Sequence, residues 1–451
     1  MHANILTAPI GPTLARLAAP NVLAMFVTLA TSMAEAFYVG QLGTAALAGL
    51  ALAFPMMMLS MMISGGSIGG AISGAVAQRL GAGDKYGAEL ISVHALILSL
   101  MLAVLFSAGF LIFGPNIYAA LGGRGEALSA ALAYSDVFYT GCFTMWLAMS
   151  LNSVIRATGN MKMAANSMML GSLVQVIVAG LFVFGYGPFP ATGISGAAFG
   201  SVVGYSVSAT VQIWFLTRRS ETLTLHLKGI QFQLSLIKDL LRVGALASIS
   251  PVSSVATVIV VTGTMARFGD DVLAGYGIGA RMEFLMIPLI FGIGSASITM
   301  VGAHFGAGEY KRALKIGWTA ALSAGFLSGA VGIALALWPS VWADLFSDSE
   351  AVREACRAYL QIVGPFYAFF GLGLCLYFAS QGARKMFWPV MGAALRLAVV
   401  VVGGLILGGQ TDSTATDFFI LIAGAMAAYG LVTAAAIKLG AWNSRQSTSS
   451  Q

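Results

Sequence analysis

The sequence predicts an all-α membrane protein in which twelve transmembrane helices form two six-helix bundles, related by a pseudo-two-fold axis along the membrane normal. First, 58% of the 451 residues are hydrophobic and only 9% are charged, whereas soluble domains carry roughly 25% charged residues. Second, the apolar segments are long and continuous, and about twenty apolar residues are enough to span the hydrocarbon core as a helix. Third, short motifs of the first half recur in the second half at a nearly constant spacing.

The apolar segments divide into two sets of six, separated by a polar connection. The predicted helices lie at about 14–40, 45–77, 88–113, 127–156, 163–186 and 193–217, and then at 239–267, 271–302, 312–338, 351–381, 386–409 and 415–440. We therefore expect an N-terminal six-helix bundle at 1–217, a cytoplasmic linker at 218–238, a C-terminal six-helix bundle at 239–440 and a disordered tail at 441–451.

The loop charges predict the orientation in the membrane. Taking alternate loops, sixteen Lys and Arg residues fall on one side and only four, Arg124, Arg267, Arg353 and Arg357, fall on the other. Because cytoplasmic loops carry the excess of cations, both termini are expected in the cytoplasm. We expect a multi-pass protein of the plasma membrane, in a bacterium the inner membrane, surrounded by the lipid bilayer. The net charge of +6 is dispersed over short loops, so no nucleic-acid partner is expected.

An internal repeat relates the two halves. Three motifs recur: Gly81–Asp84 as Gly306–Glu309 at an offset of 225, Gly159–Lys162 as Gly382–Lys385 at 223, and Leu47–Gly49 as Leu273–Gly275 at 226. Each repeat holds six helices, an even number, so both copies have the same orientation in the membrane. Repeats of that kind are related by an axis along the membrane normal, as in transporters that work by alternating access.

The sequence offers no chemistry typical of an enzyme. The three cysteines, Cys142, Cys356 and Cys375, form neither a disulfide framework nor a metal-ligand spacing. The four histidines are scattered, and no pairing of a nucleophile with a base is evident. The two Gly-Ala-Gly-acid loops, Gly81–Asp84 and Gly306–Glu309, lack the Lys-Ser/Thr ending of a nucleotide-binding loop. We therefore expect neither an enzyme nor a bound metal or cofactor.

Glu35 is the carboxylate that the first apolar segment carries, and the next acidic residue is Asp84. A charged side chain at the centre of a membrane helix costs roughly 2.5–3.5 kcal/mol on insertion scales, and such residues usually serve a function. The functional interpretation is that Glu35 takes up a proton on one side of the membrane and releases it on the other. The alternative is that Glu35 stays protonated and only forms hydrogen bonds to helix 5 or 6.

Six stretches resemble the multidrug and toxic compound extrusion (MATE) family. They are Glu35–Gly40, the two Gly-Ala-Gly-acid loops, Arg156–Gly159, Gly193–Ala198 and Leu273–Glu283, the last similar to the branch with DNA-damage-inducible and archaeal members. The resemblance covers the chain from about residue 20 to 439. It implies an antiporter that exports bulky, amphipathic and often cationic drugs, driven by inward movement of H⁺ or Na⁺. We expect it to act as a monomer.

The resemblance also implies an ion site inside the N-terminal bundle. In the similar branch this site has an acid on helix 1, an Asn and an Asp one turn apart on helix 5, and a Thr on helix 6. Here those positions hold Glu35, Gln175, Ala179 and Ser201. A dehydrated Na⁺ prefers several hard oxygen ligands and more than one negative charge, whereas a proton needs one titratable group. The single carboxylate therefore favours H⁺ over Na⁺ as the coupling ion.

Four further residues of the N-terminal bundle are candidates for lining a substrate cavity. Tyr38 and Tyr139 offer aromatic faces on which a cationic drug can stack, although aromatic residues are equally common at membrane interfaces. Asn152 and Met168 fall where the resembled family lines its cavity. A methionine accepts many apolar shapes because its thioether is flexible, but most methionines simply pack the core or face lipid.

The C-terminal bundle contains a second set of charged residues, Arg281, Glu283 and Arg396. Arg281 and Glu283 are two residues apart on one helix and point away from each other. Arg396, near the middle of helix 11, is therefore the expected partner of Glu283. Such a pair either holds the bundle together or acts as a pH-sensitive latch, and the structural interpretation is favoured.

Three alternatives to a proton-coupled drug exporter remain open. A Na⁺-coupled drug antiporter differs only in its coupling ion. A flippase of lipid-linked oligosaccharides uses the same architecture, but it needs a strongly cationic cavity, and only Arg16, Arg281 and Arg396 lie within predicted membrane helices. A receptor or structural membrane protein does not explain paired six-helix repeats with an acid inside a membrane helix.

Overall fold

The computed structural model describes residues 2–226, 231–410 and 412–443, with side chains from residue 5 onward. Within these residues every regular element is a helix, and eleven helices are long and apolar enough to cross a membrane. The predicted all-helical membrane fold is therefore confirmed. The expected twelfth helix is present but is divided, as described below.

The first half of the chain forms nine α-helices. They are α1 (His2–Thr7), α2 (Ile10–Gly40), α3 (Thr44–Met61), α4 (Gly69–Gly81), α5 (Lys85–Ala120), α6 (Gly125–Thr140), α7 (Cys142–Ala157), α8 (Met161–Phe184) and α9 (Ile194–Arg218). A π-helical segment, Met62–Ile68, joins α3 to α4, so that Thr44–Gly81 is one membrane span.

The second half forms eight α-helices. They are α10 (Leu234–Met265), α11 (Asp270–Gly306), α12 (Tyr310–Leu337), α13 (Ser340–Ala343), α14 (Glu350–Val363), α15 (Tyr367–Ala383), α16 (Phe387–Gly408) and α17 (Ala415–Lys438). A short 3₁₀ segment, Gly364–Phe366, separates α14 from α15 within one membrane span.

The helix predicted at 127–156 consists of two 16-residue helices, α6 and α7, that meet at Gly141. Gly141 lies so close to α9 that a Cβ built on it would be 2.4 Å from a methyl carbon of Val202. The close approach of α9 therefore requires glycine at the junction. The equivalent span of the second repeat is interrupted at the same place, because Phe366 lies 225 positions after Gly141.

The chain forms two compact units, which differ in their limits from the predicted bundles. The first unit contains residues 1–7 and 16–245, and the second contains 8–15 and 246–451. The described part of the predicted linker belongs to the first unit because it bonds to α5. The backbone N–H of His226 donates to Oε1 of Glu89 at 2.6 Å, and that of Gln233 donates to Nε2 of His94 at 2.8 Å.

The structure describes the first three residues of the tail predicted at 441–451. The indole N–H of Trp442 donates to Oγ of Ser380 at 3.0 Å. Trp442 is 4% exposed. A tryptophan can be buried in this way when its N–H has a hydrogen-bond partner. Residues 444–451 lie outside the described residues.

Candidate functional site

Glu35 lies in the last two turns of α2 and is 8% exposed. Its carboxylate accepts two hydrogen bonds from neighbouring helices. The hydroxyl of Tyr134 on α6 donates to Oε1 at 2.5 Å, and the side-chain amide of Gln175 on α8 donates to Oε2 at 3.4 Å. Each carboxylate oxygen therefore has a donor, and both donors are uncharged.

Ser201 on α9 completes this group of four residues, which we call the Glu35 site: Glu35, Tyr134, Gln175 and Ser201. The amide of Gln175 donates to Oγ of Ser201 at 2.8 Å as well as to Glu35. Ser201 is 2% exposed, Tyr134 is fully buried and Gln175 is half-buried, so most of the site is buried within the first unit. A hydrogen bond to a buried carboxylate is stronger than one in water, because the surrounding dielectric constant is low.

Glycine residues let α8 and α9 approach closely enough for Gln175 to reach Ser201. A Cβ on Gly204 would be 2.6 Å from the carbonyl oxygen of Gly171 and 2.8 Å from Cβ of Gln175. A side chain at position 204 would therefore force the two helices apart. Small residues commonly serve this purpose where membrane helices cross.

Ala179 lies on α8, the fifth of the predicted membrane helices. It occupies the position at which the resembled branch has a second acid. It is 1% exposed, and its Cβ lies 2.7 Å from the position of a Cβ built on Gly200. The methyl group of Ala179 therefore fits against the backbone of α9. This packing leaves Glu35 as the carboxylate of the site.

The family resemblance predicts that Glu35, Gln175 and Ser201 share one site. The structure brings all three together, because Gln175 bonds to both of the others. Tyr134 was missed, although a signal for it exists in the sequence. The pair Ala133-Tyr134 recurs as Ala358-Tyr359, at the same offset of 225 as the Gly-Ala-Gly-acid loops. Among the described residues, no group of three or more His, Cys, Asp or Glu side chains could hold a metal ion.

The four residues predicted to line a substrate cavity lie in different surroundings. Tyr139 is 1% exposed, bonds to Ser60 and stacks on Phe110. Tyr38 is half-buried and meets the ring of Phe184 edge-on. The two remaining predicted residues are Asn152, which is 7% exposed and donates to a backbone carbonyl of α8, and Met168, which is half-buried. Tyr139 and Asn152 are thus packed inside the first unit, and a cavity role for the four stays a prediction.

The charged residues predicted in the C-terminal bundle form a pair with a tyrosine rather than a cluster of three. Nη2 of Arg396 is 3.6 Å from Oε2 of Glu283, and the hydroxyl of Tyr359 donates to Oε1 at 2.5 Å. The structure does not bring Arg281 into this group. Arg281 is exposed and its guanidinium lies 5.7 Å from the ring centre of Phe346. The reason is the helical spacing of two residues, which turns Arg281 away from Glu283.

Comparison with known proteins agrees with the repeat and with the fold. A sequence model of the MatE family matches residues 20–181 and 246–406, two segments whose starts are 226 residues apart. The chain is 27% identical over 416 residues to an FAD transporter of Shewanella oneidensis, covering 91% of this chain and 90% of the relative. It is also 27% identical over 414 residues to a probable multidrug resistance protein NorM of Deinococcus radiodurans, covering 89% and 88%. A solved structure described as MATE in the bent conformation matches with a TM-score of 0.89 at 23% identity, over 98% of this chain and 97% of that one.

Proposed function

The chain belongs to the MatE family of membrane transporters, and we propose that it is a proton-coupled antiporter that exports amphipathic, often cationic compounds by alternating access. It is a transporter and not an enzyme. The observation that carries the proposed proton coupling is the composition of the Glu35 site, one buried carboxylate whose bonded partners are all uncharged. Both termini are proposed to lie in the cytoplasm of a cell whose plasma membrane holds the protein.

The Glu35 site supports proton coupling because one proton changes its net charge by a full unit. The neutral donors Tyr134 and Gln175 hold the carboxylate without neutralising it. A buried carboxylate without a counter-ion favours uptake of a proton wherever the site is open to one. Loss of that proton to the other side of the membrane restores the charge, so the two states of Glu35 can be tied to the two states of an alternating-access cycle.

The same composition argues against Na⁺ as the coupling ion. A dehydrated cation binds best to several hard oxygen ligands with more than one negative charge. The Glu35 site offers one carboxylate, and the amide of Gln175 presents its N–H groups to both Glu35 and Ser201. The side chain of Ala179 supplies no oxygen, although it holds the position of the second acid in the resembled branch.

The substrate class is proposed from the named relatives. The Deinococcus relative is named as a probable multidrug resistance protein, which supports export of varied amphipathic compounds. The Shewanella relative is named as an FAD transporter and supports a second candidate, export of an anionic flavin dinucleotide. Flippase activity on lipid-linked oligosaccharides has weaker support, because Arg396 is paired with Glu283 and Arg281 lies at an exposed position beside Phe346.

Purified protein in liposomes tests both the coupling ion and the substrate. Either a pH gradient or a Na⁺ gradient is imposed at zero membrane potential, and the flux of ethidium, a fluorescent amphipathic cation, is recorded. We expect ethidium to move against the proton gradient and not to respond to Na⁺. Transport driven by Na⁺ alone would show that the proton proposal is wrong. A parallel measurement with FAD decides between the two substrate classes.

A further inference from the structure

Two membrane spans of the first unit are interrupted beside each other. The second span passes from α3 to α4 through the π-helix Met62–Ile68, and the fourth span passes from α6 to α7 at Gly141. The hydroxyls of Ser60 and Tyr139 share a hydrogen bond of 3.1 Å, and each residue lies two positions before the interruption of its span. The two interruptions are therefore neighbours in the folded unit.

The π-helix accommodates one residue more than the equivalent span of the second unit. Gly43 and Gly269 precede these spans at an offset of 226, and both have a positive φ, of 114° and 99°. Ala82 and Ala307 follow the spans at an offset of 225, and both have the same backbone conformation. A π-turn absorbs such an extra residue, and π-turns inside α-helices are frequent at functional sites.

The second unit interrupts its helices at the equivalent places by other means. Pro288 lies inside α11, 226 positions after Met62, where the π-helix begins. Proline removes one hydrogen bond from a helix and commonly kinks it. The span of α14 and α15 is interrupted by the 3₁₀ segment Gly364–Phe366. Both units thus lose regular helical bonding at the same two places, although the residues there differ.

Glycine contacts join the helices before the interruptions to each other, and likewise the helices after them. A Cβ built on Gly49 of α3 would lie 2.5 Å from Cβ of Ala130 on α6. A Cβ built on Gly69 of α4 would lie 2.6 Å from Oγ of Ser153 on α7. The equivalent residues of the second unit are also in contact: Gly275 with Ala355, and Gly294 with Phe378. We call the two helices before the interruptions of the first unit the α3–α6 pair.

Tyr134 is the member of the Glu35 site that belongs to the α3–α6 pair. The other donor to Glu35, Gln175, lies on α8. A hydrogen bond to an ionised acceptor is roughly twice as strong as one between neutral groups, so a proton on Glu35 weakens the bond from Tyr134. Ser195 of α9 also donates to α6, to the carbonyl oxygen of Ala133 at 3.0 Å, but that bond joins uncharged groups and does not depend on the proton.

The titratable groups that face Glu35 are phenols. They are Tyr134 of α6 and Tyr205 of α9, whose hydroxyl bonds to Sδ of Met61 at 3.6 Å. On α8 the facing group is the neutral amide of Gln175. Among the described residues, no Lys, Arg, His, Asp or second Glu acts on Glu35. The proton on Glu35 therefore sets the charge that Tyr134 meets.

We propose that the α3–α6 pair bends as one body, with hinges at the π-helix Met62–Ile68 and at Gly141, and that the hydrogen bond from Tyr134 restrains it while Glu35 is ionised. This inference rests on the proposed proton coupling. Uptake of a proton by Glu35 releases the pair, and loss of the proton lets Tyr134 bind tightly again. The bend thereby connects the charge of Glu35 with the shape of the first unit during the transport cycle.

Distances between spin labels on the full chain in liposomes test the bend. Labels are attached to Ser129→Cys on α6 and, in a second protein, to Leu47→Cys on α3, each combined with Thr210→Cys on α9 as the reference. All three positions are exposed, whereas the three native cysteines are buried. Labels at Ile177→Cys on α8 and at Thr210→Cys are the control, because neither helix belongs to the pair.

We expect both distances from the pair to α9 to change between alkaline and acidic pH, while the control distance stays constant. Tyr134→Phe should show the acidic distances at both pH values, because the bond to Glu35 is missing. Tyr359→Phe, the equivalent change in the second unit, should keep the wild-type response. Distances that change neither with pH nor in Tyr134→Phe would overturn the proposal, and so would a change confined to one helix of the pair. A change in Tyr134→Phe without any response to pH would support the hinges and show that the proton coupling is wrong.

Removal of one residue tests the hinge in the second span. Deletion of one of the adjacent glycines Gly65 and Gly66 shortens this span from 38 residues to the 37 of α11, so that the π-helix can become an α-helix. Gly66→Ala is the matched control, because a Cβ at this position meets no atom within 4 Å. Two quantities are measured: the melting temperature, and the exchange of ethidium for ethidium at equal pH, which reorients the carrier without a proton gradient.

We expect the deletion to slow exchange about tenfold, because a regular helix has one more backbone hydrogen bond that resists bending. The melting temperature should be no lower than that of Gly66→Ala. Exchange at the rate of the control would overturn the hinge. A parallel fall of exchange and melting temperature would do the same, because it would show that the π-helix serves packing only. If the deletion variant does not fold, the label distances in the wild type and in Tyr134→Phe decide.

Discussion

Each of the two units holds a carboxylate bonded to a tyrosine within its membrane-spanning helices. Glu35 accepts from Tyr134 and Glu283 accepts from Tyr359, both at 2.5 Å. The tyrosines are equivalent in the repeat, since they are 225 positions apart. The acids are not equivalent, because Glu35 lies on the first helix of its repeat and Glu283 lies on the second. Tyrosine thus keeps its place in both copies, while the acid reaches it from different helices.

The remaining partners of the two acids differ in charge, and we propose that this difference separates their roles. Glu35 has the neutral amide of Gln175 beside it, whereas Glu283 faces the guanidinium of Arg396, which in turn lies over the ring of Phe370 at 5.1 Å. A proton that joins or leaves Glu35 changes the charge of a site that has no counter-ion. Because Arg396 compensates the charge of Glu283, we expect that charge to stabilise the unit rather than to cycle.

Substitution of Glu35 gives the largest expected effect. Glu35→Gln removes the titratable group but keeps its size and one acceptor oxygen, so pH-driven ethidium export should fall at least about 100-fold, as for loss of a proton-transfer group. The melting temperature in detergent should be close to that of the wild type, because no partner is left with an unpaired charge. Export at the wild-type rate would assign Glu35 a structural role only.

Substitution of Glu283 should act on stability instead. Glu283→Gln leaves the guanidinium of Arg396 buried without its counter-ion, and breaking a buried ion pair in this way costs about 3–5 kcal/mol. Unfolding in denaturant measures this loss. The double variant Glu283→Gln with Arg396→Met should recover part of it, because the unpaired charge is removed as well. A stable Glu283→Gln protein with impaired proton coupling would instead support the pH-sensitive latch.

Substitution of the two tyrosines gives the smallest expected effects. Tyr134→Phe removes a donor that favours the charged form of Glu35, so the pH profile of export should move to higher pH. A hydrogen bond to a charged group is worth about 1.5–3 kcal/mol, which corresponds to about 1–2 pH units. Tyr359→Phe should lower stability and leave the profile unchanged. Equal shifts for both variants would contradict the separation of roles.

The fold and the main residues of the site follow from sequence patterns that act over short distances. Apolar length and low charge predict the membrane helices, and the recurrence of Gly81–Asp84 as Gly306–Glu309 predicts the repeat. Glu35 is identified from the sequence because a charged side chain inside a membrane helix is energetically costly and usually serves a function. The family resemblance then supplied Gln175 and Ser201, and the structure brings both to Glu35 or to each other.

Tyr134 could not be chosen over Tyr139 without the tertiary structure. The two side chains are five residues apart on α6, about 140° around the helix, so one meets Glu35 and the other meets Ser60 and Phe110. The division of the fourth helix at Gly141 depends on the approach of α9, which the local sequence does not encode. The sequence alone therefore determined which segments span the membrane and which acid is costly to place there, since these depend on composition and local spacing. Only the tertiary structure decided which neighbours that acid has and whether they carry charge, because those contacts join helices up to 140 residues apart.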